Sequence, residues 1–258
     1  MRVWTIANQK GGVGKTTTAV SLAGTLARQG QRVLLVDLDA QASLTSYFKL
    51  DPERLAATSY HLFPVSGGEL AVDSVLQDLP VEGAKLIPAS TALATVERQM
   101  VGREGMGLVV KRMVSALSGQ FDQVLIDSPP SLGVLLINAI AAADRVIIPV
   151  QTEFLAIKGL ERTLRTLSMV ARSRPTPLAY TVVPTMFDRR TQASKRALQT
   201  LRIEYADHLW PAVIPVDTRL RDASARGVSI AQLEPSSRAG RAYEALVRYL
   251  DTHTQAAA

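Results

Sequence analysis

Apolar positions along the chain follow two alternating rhythms. Short unbroken runs rich in valine, isoleucine and leucine occupy residues 3–7, 33–36, 124–126, 146–150 and 179–183, as strands buried on both faces do. Between them, residues 16–29, 108–117, 156–171 and 191–205 repeat apolar side chains at three- and four-residue intervals, which is the spacing of one helix face. Strand alternating with helix predicts a doubly wound α/β fold, a mostly parallel sheet with helices on both faces, because right-handed crossovers put a helix between successive parallel strands. Residues 51–83 break both rhythms and contain Pro52, Pro64, Gly67, Gly68 and Pro80, so they read as a surface excursion. Tyr243, Leu246, Val247 and Leu250 mark the apolar side of a closing helix, Trp4 and Trp210 read as packing anchors, and residues 252–258 read as a frayed tail. No repeat and no linker interrupts the pattern, which predicts one domain across residues 1–258.

Composition narrows the chemistry. The chain has 258 residues, 47% hydrophobic and 20% charged, and no cysteine; this is the profile of a globular protein without a disulfide framework, a thiolate zinc site, a cysteine-ligated cluster or a cysteine nucleophile. His61, His208 and His253 lack ligand spacing, which argues against a histidine metal site. No stretch of about 18 apolar residues occurs and no basic leader precedes the first strand, so the expectation is a cytoplasmic protein. The net charge of +6 is uneven: residues 1–150 carry 13 basic and 13 acidic side chains, residues 151–258 carry 16 and 10, and 14 of those 16 are arginine. Arginine is the side chain best suited to forked contacts with phosphate.

The sharpest motif follows the first strand: Asn8-Gln9-Lys10-Gly11-Gly12-Val13-Gly14-Lys15-Thr16-Thr17, then a helix. Closely spaced glycines let backbone N–H groups converge on an anion, the helix start adds its positive end, Lys15 reaches terminal phosphates and Thr16 offers a hydroxyl to Mg²⁺. This predicts a phosphate loop for ATP and Mg²⁺, although Gln9 stands where the strict pattern requires glycine. Two further apolar runs deliver carboxylates at their ends, where a ligand of an α/β sheet lies: Asp37 and Asp39 after the second strand, and Asp127 after residues 124–126. Ser128 occupies the place where many ATPases keep a water-orienting glutamate, which leaves Asp39 as the candidate for that task.

The string Lys-Gly-Gly-Val-Gly-Lys-Thr-Thr resembles the deviant Walker A motif of the ParA/MinD superfamily, and Asn8-Gln9 resembles its ParA branch. The resemblance extends from residue 3 to about residue 250. It implies that Lys10 crosses a sandwich-dimer interface to the partner's nucleotide, that Asp37, Asp39 and Gln41 form a first switch with Ala40 where the family has proline, and that Mg²⁺ is held by Thr16, Asp37 and Asp127, the last ending a Walker B strand. It implies that Gln151, Glu153, Phe154 and Lys158 lead into a helix at the dimer face, and that Met186, Pro215 and Asp217 border adenine or ribose. It also implies an ATPase that dimerises with ATP, binds DNA without sequence preference through residues such as Arg189, Arg190, Arg196, Arg219 and Arg221, and answers to a cargo-linked activator of the ParB type, placing it on the nucleoid. The first strand begins too near Met1 for a helix-turn-helix extension, and the tail offers no bulky apolar residue to a membrane. Two other readings share the scaffold: a small-molecule enzyme like dethiobiotin synthetase or the cobyrinate amidases, and a MinD-like membrane regulator.

Overall fold

The computed structural model describes residues 1–64, 71–100, 105–174 and 176–254. Seven strands form one sheet in the order β3-β4-β2-β5-β1-β6-β7. They are β1 (Arg2–Ile6), β2 (Val33–Asp37), β3 (Gln77–Asp78), β4 (Ala84–Ile87), β5 (Gln123–Asp127), β6 (Arg145–Gln151) and β7 (Ala179–Thr185). All neighbouring pairs are parallel except β3 with β4. The expected strands at β1, β2, β5, β6 and β7 are present; β4, with a single apolar pair at its end, carries too weak a signal to stand out in the sequence.

Helices cover both faces, and alternation along each strand decides which face a residue serves. Trp4, Ile6, Leu35 and Leu125 pack with α1 (Lys15–Arg28), α2 (Ser43–Tyr47), α9 (Ile230–Leu233) and α10 (Arg238–Thr254), whereas Val3, Leu34, Val36, Val124 and Ile126 pack on the opposite face. That second face is covered by α3 (Leu93–Gln99), α4 (Val109–Ala116) and α5 (Val134–Ala142), and further along by α6 (Phe154–Ala171) and α7 (Gln192–Glu204). Tyr243, Leu246, Val247 and Leu250 are buried against α1 and the sheet, so the apolar side of α10 is used inside the protein. Trp4 and Trp210 are buried anchors, as expected.

The excursion is more than a surface loop. Leu62, Phe63 and Val75 are buried against Leu38 and Ile87, and β3 pairs with β4 at the sheet edge. Its apolar residues are too widely spaced to show a period, yet several of them join the core. Gly67 and Gly68 lie outside the described residues, as does the expected tail from residue 255 on; residues 252–254 of that tail instead continue α10, and the His253 carbonyl accepts from Arg145 at 2.9 Å.

β1 has β5 on one side and β6 on the other. Its outgoing connection runs toward β2, while the later chain passes from β5 to β6 on its other side, so a crevice opens at the carboxyl end of β1. The phosphate-loop sequence occupies that place.

Candidate nucleotide site

Between β1 and α1 the loop turns on two glycines with positive φ, Gly12 at 75° and Gly14 at 92°, a region that a side chain would strain. Gly14 is the N-cap of α1, and no side chain caps that helix start, which leaves its amide groups and positive end for an anion. Val13 is fixed beneath by the Thr185 hydroxyl, which donates to its carbonyl at 2.9 Å.

The carboxylates converge on the same end of the sheet. Asp127 is paired in register with Ile6 on one side and Asp37 on the other. The Thr16 hydroxyl donates to Asp127 Oδ2 at 2.6 Å, while Asp127 Oδ1 is buried without a hydrogen-bond partner. Burial, with the neighbouring Asp37 adding to it, pushes the Asp127 carboxyl up to about 8. Lys15 lies in the same field: burial lowers its pKa, and the charges of Asp127 and Asp39 oppose that shift. A buried oxygen with an open lone pair beside a hydroxyl and a lysine fits a hard cation shared with phosphate oxygens, and Mg²⁺ typically takes only one or two carboxylates from the protein. Among the described residues no cluster of three His, Cys, Asp or Glu side chains is arranged for a metal.

Asp37, expected beside Asp127 at the metal, is instead engaged on both oxygens by the protein itself. Its Oδ2 accepts from both the amide and the hydroxyl of Thr45, at 2.9 and 2.8 Å, and its Oδ1 accepts from the Asp39 amide at 3.1 Å. It braces the loop from which Asp39 projects, and burial pushes its carboxyl up to about 6 despite those bonds. Asp39 is partly exposed and accepts from the Gln41 amide at 3.0 Å.

Beyond Gly14 and Thr17 a cavity of about 840 Å³ opens, lined also by Met186, Pro215, Asp217 and Tyr243. Its volume and position suit a nucleoside next to a phosphate loop. Met186 holds a positive φ of 52° at this wall, which is uncommon for a non-glycine residue. Asp217 lines the cavity, but both its oxygens are occupied: Oδ1 accepts from the Arg219 amide and Oδ2 from the Ala239 amide at the start of α10.

A family model described as an AAA domain matches residues 1–179. The Soj chromosome-partitioning ATPase of Thermus thermophilus is 39% identical over 98% of this chain and 96% of its own length, and the chromosome partitioning protein ParA of Caulobacter vibrioides is 36% identical over 96% and 93%. The chain belongs to the ParA family of ATPases. Among solved structures, McdA of Cyanothece in complex with ATP superposes with a TM-score of 0.85 at 26% identity, covering 97% of this chain and 96% of that one. A cobyrinic acid a,c-diamide synthase from Mycobacterium smegmatis, holding an ATP analogue and magnesium, gives a TM-score of 0.85 at 36% identity over 99% and 96%.

In this ParA chain the two loop lysines part company. Lys15 Nζ turns back toward the Lys10 carbonyl, 3.5 Å away. The Lys10 side chain is 29% exposed and stands 3.9 Å from Glu153 Oε2 at the start of α6, a residue that also lines the cavity. The next two residues, Phe154 and Leu155, are 72% and 67% exposed. The sequence drew attention to Lys10 but not to its seat: Gln9 is hydrogen-bonded to Thr163 and Thr166 of α6, both buried. Two threonines three apart on an otherwise apolar helix face were the available signal.

The arginines flank the cavity in two groups. Arg189, Arg190 and Arg196 lie exposed between β7 and α7 or on it, and Arg219 and Arg221 lie exposed on α8 (Arg219–Arg226). Arg190 pairs with Asp188, and Arg219 with Asp222 and Glu234, whereas Arg221 lines the cavity mouth.

Proposed function

We propose that this ATPase is a partitioning switch: it closes into a dimer around two ATP molecules, binds DNA of any sequence in that state, and releases it after hydrolysis stimulated by a cargo-linked activator of the ParB type. The observation that carries this reading is the course of Lys10 along the start of α6, 3.9 Å from Glu153 and next to the exposed Phe154 and Leu155. A lysine that serves its own nucleotide belongs beside Lys15, whereas this one faces a surface suited to a second copy. The partitioning names of relatives that match nearly the whole chain support the same reading.

In this scheme the loop amides and Lys15 bind the phosphates, and Met186 and Pro215 border the base. Asp39, held by the turn that Asp37 braces, orients the attacking water and receives its proton. Thr16 and Asp127 would hold Mg²⁺, which would offset negative charge as the terminal phosphate leaves. ATP drives the switch because Lys10 meets nucleotide in the dimer and not in the monomer, and a ligand shifts an equilibrium only by its differential affinity. Arg189, Arg190, Arg196, Arg219 and Arg221 supply phosphate contacts doubled by dimerisation, giving a soluble protein that gathers on the nucleoid. Residues 1–258 act as one domain.

The test compares ATP with ADP in sizing chromatography and in mobility shifts on unrelated duplexes over a salt series. ATP-dependent dimers that bind every duplex alike, with log affinity falling linearly in log salt, are expected. The likeness to a cobyrinic acid a,c-diamide synthase structure favours a second reading, ATP-dependent amidation of a small carboxylic acid. In that case ATP turnover would depend on a carboxylic acid and ammonia, and no ATP-dependent DNA binding would appear at low salt.

A further inference from the structure

The backbone around Lys10 is pinned to α6 by a set of bonds that a phosphate loop does not itself require. The Thr163 hydroxyl accepts from the Gln9 amide at 3.0 Å and lies 3.4 Å from Asn8 Oδ1 and 3.1 Å from the Gly159 carbonyl, either of which can take its proton. Asn8 Oδ1 accepts from the Lys10 amide at 2.9 Å, and Asn8 Nδ2 donates to the Pro149 carbonyl at 2.8 Å. Gln9 Nε2 donates to the Thr166 hydroxyl at 2.8 Å. One helical turn before Thr163, Gly159 admits the lysine: a Cβ there would stand 3.1 Å from Lys10 Cβ. Asn8 and Thr163 are fully buried or nearly so, so these bonds form away from competing water.

We propose that Thr163 is a positioning residue for Lys10. With Asn8 it fixes the amides of residues 9 and 10 to α6, and Gly159 leaves the room that directs the Lys10 side chain along the start of α6 and out of its own loop. The phosphate-binding half, Gly11 to Thr17, has no bond to Thr163. The hydroxyl therefore acts on the Lys10 step and not on nucleotide affinity. This inference rests on the cross-dimer role of Lys10 proposed above.

The experiment uses the full chain and its Thr163→Val, Thr163→Ser, Lys10→Ala and Lys10→Ala/Thr163→Val variants. Each is titrated with a fluorescent ATP analogue and then sedimented with ATP over a protein concentration series. Thr163→Val should bind nucleotide within about twofold of the parent, as separate sites allow, and associate at least roughly tenfold more weakly, with one hydroxyl removed from each of two copies. Thr163→Ser, which keeps the hydroxyl, should restore association. The double variant should associate no worse than Lys10→Ala alone, since two members of one device do not add; a merely structural threonine would add its defect. Should Thr163→Val fail to fold, Gly159→Ala presses a methyl onto Lys10 from the helix side and should show the same split between binding and association. Parent-like association by Thr163→Val, beside a defective Lys10→Ala, would overturn the positioning role and leave the Lys10 reading standing. Parent-like association by Lys10→Ala would overturn both.

Discussion

Asp37 and Asp127 are register partners on adjacent strands, two buried carboxyls side by side at the end of the sheet where the phosphate loop begins. Only Asp37 is well supplied with donors; Asp127 keeps one buried oxygen without a hydrogen-bond partner. A carboxyl unsatisfied in the isolated fold marks a place where stability has given way to binding.

A pH dependence follows from this pair. Both carboxyls hold their protons more tightly in the folded chain, up to about 6 for Asp37 and about 8 for Asp127, than in the unfolded chain, where about 4 is usual. Between those limits the folded state binds more protons, so stability falls as pH rises. It is fully present below about pH 4, and the Asp127 part is lost as pH climbs through about 8. Asp127→Asn cannot ionise and should flatten the upper part of that curve, gaining roughly 2–8 °C in Tm over the parent near pH 8.5 for a chain of this size. Thermal unfolding in magnesium- and nucleotide-free buffer from pH 5 to 9 measures it; a parent whose Tm rises over that range would contradict the assignment.

Asp39→Ala removes a carboxylate at the surface of the site and leaves Lys15, Thr16 and both loop glycines in place. Nucleotide binding and ATP-dependent dimerisation should persist while turnover drops by at least about 100-fold, the low end of what a proton-accepting side chain contributes. Steady-state phosphate release, read beside sizing chromatography, separates the two effects; ordinary turnover would remove Asp39 from the mechanism.

Lys15→Ala should act at an earlier step. Its half-buried ammonium feels the charges of Asp127 and Asp39, and removing it forfeits a charge-assisted hydrogen bond to phosphate, roughly 10- to 100-fold in ATP affinity. Calorimetric titration with ATP should show this loss. Lys10→Ala should titrate like the parent, and equal losses in the two variants would mean that both lysines serve one nucleotide.

Among the arginines, pairing predicts rank. Arg219 is engaged by Asp222 and Glu234, whereas Arg221 stands at the cavity rim, so Arg221→Ala should weaken DNA binding more than Arg219→Ala does. Taking one phosphate-binding arginine from each copy of a dimer should lower the slope of log affinity against log salt by about two, and equally for every duplex sequence. A preference that relaxed at one base position would point instead to base reading.

Local patterning along the chain specified the framework. Unbroken apolar runs alternating with helical spacing specify buried parallel strands and their covering helices, and the glycine spacing before Lys15 specifies an anion-binding turn, because each depends on residues close together in the chain. The same locality revealed Asp37, Asp39 and Asp127 as strand-end carboxylates. It could not tell them apart: Asp37 becomes a brace because Thr45 folds back over it, and Asp127 stays bare because Thr16, 111 residues earlier, reaches only one of its oxygens. The spread-out apolar residues of the excursion, the capping use of Asp217 by α10, and the seat of Lys10 on α6 are likewise matters of long-range packing. For Asp217 and for Gln9 beside Lys10 the hydrogen-bond partners lie 22 and 157 residues away, and bonds across such distances exist only after the sheet has brought the strand ends together.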